Sequence, residues 1–319
     1  MKRCLKIMPS IGTFNVGDEI IADSCSRELE ELLPMTFWIN SSSHMGIKSN
    51  FFYRIARRNI DHTFICGSNL LSSYSNVFRR QLNYTLRDTL FIQNAILLGA
   101  GWRDYQKAPS LYTKILYYRL FDDYCIHSVR DDYTLQQLKR MGINNVVNTG
   151  CPTLWKLDKK HCSNIPAEQG QSVIFTLTCY RKNSNLDSML VNKLKNIYGK
   201  LYFWVQGIDD LEYLKELGLD SNINIIEPSL RAYDELLTNE KRIDHVGTRL
   251  HAGIRALQHG RRSFIVAIDN RAIEMGKDFN LPIITERQVN DLESICCSKY
   301  KTKIDIPMKN INIWRKQFK

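Results

Sequence analysis

Apolar residues return along this chain in two alternating rhythms. Short β-branched and aliphatic runs give way to longer stretches in which apolar side chains recur every three or four positions. In the first half, Leu5–Met8, Thr63–Cys66, Ala95–Leu98, Tyr124–Ser128 and Asn145–Val147 predict strands. Helical spacing falls between them, over Asp18–Leu33, Pro109–Phe121 and Tyr133–Met141. The cluster Thr149-Gly150-Cys151-Pro152 closes this half, and a polar segment, Lys156–Gln171, follows. The alternation restarts with Ser172–Thr178, then Leu201–Val205, Asn222–Ile226, Ile243–Val246, Phe264–Ile268 and Ile283–Ile284 as strands. Helices fit Leu186–Tyr198, Asp209–Leu217, Ser229–Leu237, Thr248–Gln258, Arg271–Phe279 and Val289–Cys297. Such alternation predicts parallel sheets covered by helices. The expectation is an α/β protein with domains at 1–155 and 172–319 and a linker at 156–171. Ligands of doubly wound sheets bind at strand ends, which here would face a cleft between the two halves.

Composition supports this picture without sharpening it. The 319 residues are 44% hydrophobic and 24% charged, as in ordinary globular proteins. No apolar run approaches a membrane span, and the start of the chain reads as a first strand, not a signal peptide. The nine cysteines form no CxxC pair, so neither zinc site nor disulfide framework is suggested, and a reducing, cytoplasmic location is expected. The net charge of +11 is spread through pairs such as Arg57-Arg58, Arg79-Arg80 and Arg261-Arg262, which read first as solvated surface. No nucleic-acid partner and no metal are expected.

Chemistry concentrates in the run 246–255, Val-Gly-Thr-Arg-Leu-His-Ala-Gly-Ile-Arg. Thr248 suits an N-cap, and the helix start then offers free N–H groups, a positive dipole end, the Arg249 guanidinium and the His251 imidazole. That combination suits an anion with proton transfer beside it. Arg181 and Arg271 stand at the ends of other strand candidates in the same half. Brought together with Arg249 by neighbouring strands, they would make a pocket for a multiply charged anion.

Three glycine turns are less specific. Asn15, Gly17 and Asp18 follow the first strand, and read equally as a ligand-lining turn or as a glycine loop with a capping aspartate. Gly67, Ser68 and Asn69 follow the second candidate strand, where small residues let backbone approach a ligand. The turn Gly99-Ala100-Gly101 leads to Arg103, which reads as surface. None of these is GxGxxG or a Walker motif. The aromatic stretch 111–121 reads as the core side of a helix before it reads as a membrane or lipid-carrier face.

With these residues assembled, the chain resembles the polysaccharide pyruvyl transferase family. The likeness runs from 15–18 (Asn-Val-Gly-Asp) to 281–284 (Leu-Pro-Ile-Ile). It is most specific at 247–252 (Gly-Thr-Arg-Leu-His-Ala), 257–260 (Leu-Gln-His-Gly) and 269–271 (Asp-Asn-Arg). The middle region, 128–131 with 138–142 and 149–152, is similar too. Cys151 stands where the family has an aspartate, Ser68-Asn69 where it has glycines, and Arg271 where a lysine is usual. The resemblance implies two Rossmann-like domains facing a cleft, in a glycosyltransferase-B-like arrangement. It implies transfer of the pyruvyl group of phosphoenolpyruvate to two sugar hydroxyls as a cyclic ketal, in exopolysaccharide, capsule or cell-wall polysaccharide synthesis. Arg249, Leu250 and His251 are then donor-site residues, His251 the catalytic one, with Arg181 and Arg271 as anion contacts. Asn15, Gly17, Asp18, Gly67, Ser68 and Asn69 fall to the acceptor or the cleft wall. No cofactor is expected beyond the donor substrate. The acceptor is a sugar or a lipid-linked oligosaccharide, which would bring the protein to the inner face of the membrane. Two rivals remain at this point: a nucleotide-sugar glycosyltransferase of the same architecture, and a non-catalytic basic module binding acidic polysaccharide.

Overall fold

A computed structural model describes residues 1–46, 59–76 and 81–319. The pairs Arg57-Arg58 and Arg79-Arg80 lie outside these residues. Internal packing divides the chain into two units. One comprises Met1–Thr13, Ile21–Trp155 and Ile306–Lys319; the other comprises Phe14–Ile20 and Lys156–Asp305.

In the first unit, β1 (Lys2–Met8), β2 (Thr36–Ser42), β3 (His62–Cys66) and β4 (Ala95–Leu98) form a parallel sheet in the order β2-β1-β3-β4. β5 (His127–Val129) pairs in parallel with β6 (Val146–Asn148). Single backbone bonds from Gly99 N–H to the Ser128 carbonyl and from Arg130 N–H to the Ala100 carbonyl carry the ladder on toward β5. Successive side chains go to opposite faces, as a strand requires. Leu5, Ile7, Ile65 and Leu97 enter one core, and Cys4, Met8, Phe64, Cys66, Ile96 and Leu98 enter another. Burial on both faces is why β3 and β4 appear as near-continuous apolar runs. β5 begins three residues later than the apolar pattern suggests, because the Asp122 carboxylate takes the N–H groups of Tyr124 and Cys125 and holds a turn there.

The chain departs from the expected domain limits at Phe14–Ile20, which falls in the second unit, at its C-terminal end and in the linker. The helix Met308–Lys316 belongs to the first unit, with Ile311 and Trp314 buried and Trp314 against Trp155. The expected linker is ordered structure of the second unit. Its helix Lys159–Ser163 is capped by Asp158, and the His161 ring bonds the Leu257 carbonyl at 2.7 Å. The helix Leu111–Leu120 buries Thr113, Leu116, Tyr117 and Leu120 but leaves Leu111, Ile115 and Tyr118 exposed, so the core reading holds for one face of it only.

The second unit is a six-stranded, all-parallel sheet. Its strands are β7 (Ser172–Thr176), β8 (Lys200–Trp204), β9 (Asn224–Ile226), β10 (Ile243–Gly247), β11 (Ser263–Val266) and β12 (Ile283–Ile284), in the order β12-β11-β10-β7-β8-β9. The chain builds outward from β7 to one edge, then returns to β10 and builds to the other. The strand order therefore reverses between β7 and β10, the place where open α/β sheets bind ligands beyond their carboxyl ends. At the amino end of β10, Asp244 accepts from Arg262 Nη2 at 2.5 Å and from the Tyr198 hydroxyl at 2.7 Å. Arg262 is buried, so the Arg261-Arg262 pair is not simply solvated surface. His245 lies between the Ser263 and Thr176 hydroxyls, and burial pushes its pKa down to about 3.

Candidate functional site

The ends of β7 and β10 approach closely enough to dictate residue type. A Cβ on Gly247 would lie 2.4 Å from Thr176 Oγ1 and 2.7 Å from its backbone nitrogen and oxygen. Only glycine fits, and the chain leaving β10 is thereby held against the chain leaving β7. Thr248 completes the junction: its N–H bonds the Thr176 carbonyl, and its hydroxyl meets the Thr178 hydroxyl at 2.8 Å. This use of its side chain is why Thr248 is not the N-cap expected from sequence. The N-cap is Arg249, in extended backbone (φ −92, ψ 103), and it makes no side-chain capping bond.

Arg249 turns instead toward β7 and β8. Its Nε donates to the Leu177 carbonyl at 2.9 Å, and its Nη2 reaches both oxygens of Asp210, at 2.5 and 2.6 Å. Both side chains are almost fully buried, at 3% and 0% exposure, so the charges are strongly coupled. Asp210 is fixed in turn by N–H donors from Gly207 at 2.8 Å and Cys179 at 3.2 Å. Gly207 must be small, since a Cβ there would lie 2.5 Å from Arg249 Nη2.

Arg271 reaches the same region from the turn after β11. Asp269 caps the helix Asn270–Phe279 through the Arg271 and Ala272 N–H groups, and its other oxygen takes Arg271 Nε at 2.9 Å and Nη2 at 2.5 Å. Burial works to lower the Arg271 pKa, and the Tyr180 and Asp269 oxygens more than offset it, so the guanidinium stays charged. Tyr180 joins the two arginines. Its hydroxyl accepts from Arg271 Nη2 at 2.9 Å, and its ring centroid lies 4.9 Å from the Arg249 guanidinium carbon. Among the described residues, each arginine thus has Nε and Nη2 committed and Nη1 left over.

Of the expected anion contacts, Arg249 and Arg271 come together. Arg181, at the end of the short turn Cys179–Arg181, is an exposed residue next to Tyr180 in sequence. Leu250 and His251 open the helix Leu250–Gln258, and both are buried. Gly253 lets that helix lie close on β11, since a Cβ there would meet Ile265 at 2.4 Å.

The glycine turns separate. Asn15, Gly17 and Asp18 pack within the second unit. Asn15 Oδ1 accepts from Gln206 Nε2 at 2.9 Å, Asn15 bridges Gly207 in the backbone, and a Cβ on Gly17 would lie 2.3 Å from Gln206 Nε2. This turn therefore abuts the segment that carries Asp210. Gly67, Ser68 and Asn69 sit at the end of β3 in the first unit, Gly67 and Ser68 both with positive φ. Asn69 Oδ1 accepts from Arg130 Nη1 at 2.6 Å, while Asp131 holds Nε and Nη2 of the same buried arginine. Arg103 is exposed, in keeping with its surface reading.

Asp210, Tyr180 and Gln206 escaped the sequence reading. Asp210 had a faint signal, as an acid in the first turn of a helix, but that is a common place for one. Among the described residues, no group of three or more His, Cys, Asp or Glu could hold a metal ion, and no helix is long and apolar enough to cross a membrane.

Comparison with known proteins adds to this geometry. A family model described as polysaccharide pyruvyl transferase matches residues 15–270. No curated protein matches the chain. Among solved structures, S. aureus MnaA with UDP aligns at a TM-score of 0.54 and 12% identity, over 94% of this chain and 92% of that one. A glycosyltransferase from Rickettsia africae ESF-5 aligns at 0.50 and 12% identity, over 99% and 93%. These likenesses bear on fold alone: the chain has the glycosyltransferase-B-like α/β fold.

Proposed function

The chain belongs to the polysaccharide pyruvyl transferase family, and from that premise we propose that it moves the pyruvyl group of phosphoenolpyruvate onto two hydroxyls of a sugar, forming a cyclic ketal and releasing phosphate. The family implies a sugar or polysaccharide acceptor. The observation that carries the donor reading is the pair Arg249 and Arg271, each oriented by its own carboxylate and both in contact with Tyr180. Phosphoenolpyruvate carries a carboxylate and a phosphate, and guanidinium forks match both. Fixed donors aimed at an anion need no reorganisation during reaction, which is where electrostatic catalysis is most effective.

In the reaction proposed, His251 as imidazolium gives its proton to the methylene carbon of the donor, making a methyl group and a cationic carbon. One sugar hydroxyl attacks that carbon, and its proton restores the imidazolium. Phosphate departs with the electrons of its C–O bond, and the second hydroxyl closes the ring, its proton leaving with phosphate. General acid catalysis of this kind contributes roughly 10²- to 10⁴-fold. Arg249 and Arg271 bind the donor, Leu250 walls its apolar side, and Arg181 adds charge at the rim. Asn15 and Gly17, packed on Gln206 and Gly207, and Asp18, bonded to Asn15, are proposed to line the donor end, while Gly67, Ser68 and Asn69 are proposed for the acceptor. As written, the reaction calls for no cofactor. A lipid-linked acceptor would place the work at the cytoplasmic face of a membrane.

Turnover in deuterated water tests the proton step. The proposal predicts a ketal whose methyl group carries one deuterium. A product methyl group free of deuterium would contradict it.

A further inference from the structure

We propose that Tyr180 is a positioning residue that sets the spacing between the Arg249 and Arg271 guanidiniums, and so makes the site favour a ligand with two anionic groups over a ligand with one. The inference rests on the reading that these two arginines face the donor. Tyr180 is 56% exposed, so hydrophobic burial does not explain its place. Its side chain meets both site arginines, the ring against Arg249 and the hydroxyl accepting from Arg271. Its backbone is tied in as well, because the preceding residue, Cys179, donates its N–H to Asp210, the carboxylate that holds Arg249. One short turn therefore fixes an arginine from the end of β10 relative to an arginine from the end of β11. Two cations held at one separation bind a ligand with two anionic groups as a chelate, whereas a single anionic group uses one of them. Pre-organisation of that kind acts by reducing the ordering cost of binding.

Calorimetric titration of the full chain with phosphoenolpyruvate and, separately, inorganic phosphate tests this in the wild type, Tyr180→Phe and Tyr180→Ala. Tyr180→Phe keeps the ring on Arg249 and removes only the hydroxyl that holds Arg271. It is expected to weaken phosphoenolpyruvate about tenfold, the scale of a hydrogen bond to a charged group, while phosphate changes less than about twofold. Tyr180→Ala is expected to weaken phosphoenolpyruvate further, and to weaken phosphate too as Arg249 loses its ring. In steady-state assays the loss in Tyr180→Phe falls on KM more than on kcat. Melting temperatures should stay within a degree or two, given the exposure of the ring. A wild type that prefers phosphoenolpyruvate, together with a Tyr180→Phe variant of unchanged preference, would overturn the role of Tyr180 and leave the donor reading standing. A wild type with no preference for phosphoenolpyruvate over phosphate would overturn the donor reading, and this inference with it.

Discussion

Arg249 and Asp210 meet side by side in the second unit, one nitrogen of the arginine serving both oxygens of the aspartate at 2.5 and 2.6 Å. The pair converts a flexible cation into a fixed one. It also shapes the proposed donor site: Arg249 and Arg271 each have a carboxylate, so the donor reading rests on cations held in place rather than on bare excess charge. Breaking one side of a buried pair costs about 3–5 kcal/mol. Asp210→Ala should therefore lower the melting temperature by several degrees and raise the donor KM at least tenfold. Asp210→Asn should recover part of the stability and less of the affinity. Thermal melts alongside donor titrations separate the two effects.

Gly207→Ala isolates the position of Arg249 from its charge. The added methyl would sit 2.5 Å from Nη2, and that nitrogen cannot yield without leaving Asp210. Donor affinity should fall about tenfold, corresponding to roughly 1.4 kcal/mol. Unchanged titration curves would show that the guanidinium has room to move.

Acid stability should be set partly by two buried histidines. Burial lowers the His245 pKa to about 3 and the His127 pKa to about 4, from 6.5. In both cases the unfolded chain takes up a proton before the folded one does. Their contribution is present above pH 6.5 and is lost as pH falls toward 4 and then 3. Each costs about 2 kcal/mol by pH 5. Denaturant melts between pH 7 and 4.5 should show this loss, and His245→Asn or His127→Asn should flatten the slope.

The polar junction at the amino end of β10 is a structural tie remote from the site. Asp244 gathers Arg262, the Tyr198 hydroxyl and the Gly170 N–H. Asp244→Ala leaves a buried guanidinium uncompensated and should destabilise by about 3–5 kcal/mol. Chemical denaturation measures that directly, and activity of the surviving folded fraction should be close to normal.

Much of this architecture was legible in the sequence because the inner strands of the sheets are buried on both faces. The strands β7, β10 and β11 appear as apolar runs, and the Gly247–His251 segment follows the strand that ends at the switch in strand order. β2 was not legible: it is an edge strand whose residues are mostly half exposed, so no alternation marks it. The C-terminal helix was also missed, since Ile311 and Trp314 alone carry its buried face. Arg249 and Arg271 could be grouped from their places at strand ends. Asp210 and Tyr180 could not, because a helix-start aspartate and an exposed tyrosine are ordinary until the register of β7, β8 and β10 sets them against an arginine.

The central claim is that the second unit binds phosphoenolpyruvate and that His251 protonates it. Phosphate release from phosphoenolpyruvate, measured with and without a panel of lipid-linked and nucleotide-linked sugars, tests it most directly when wild type and His251→Gln are compared. The account predicts sugar-dependent phosphate release by the wild type. It predicts that His251→Gln still binds phosphoenolpyruvate but releases phosphate at least about 100-fold more slowly. Near-normal release by His251→Gln, or release of a nucleotide with no consumption of phosphoenolpyruvate, would contradict it.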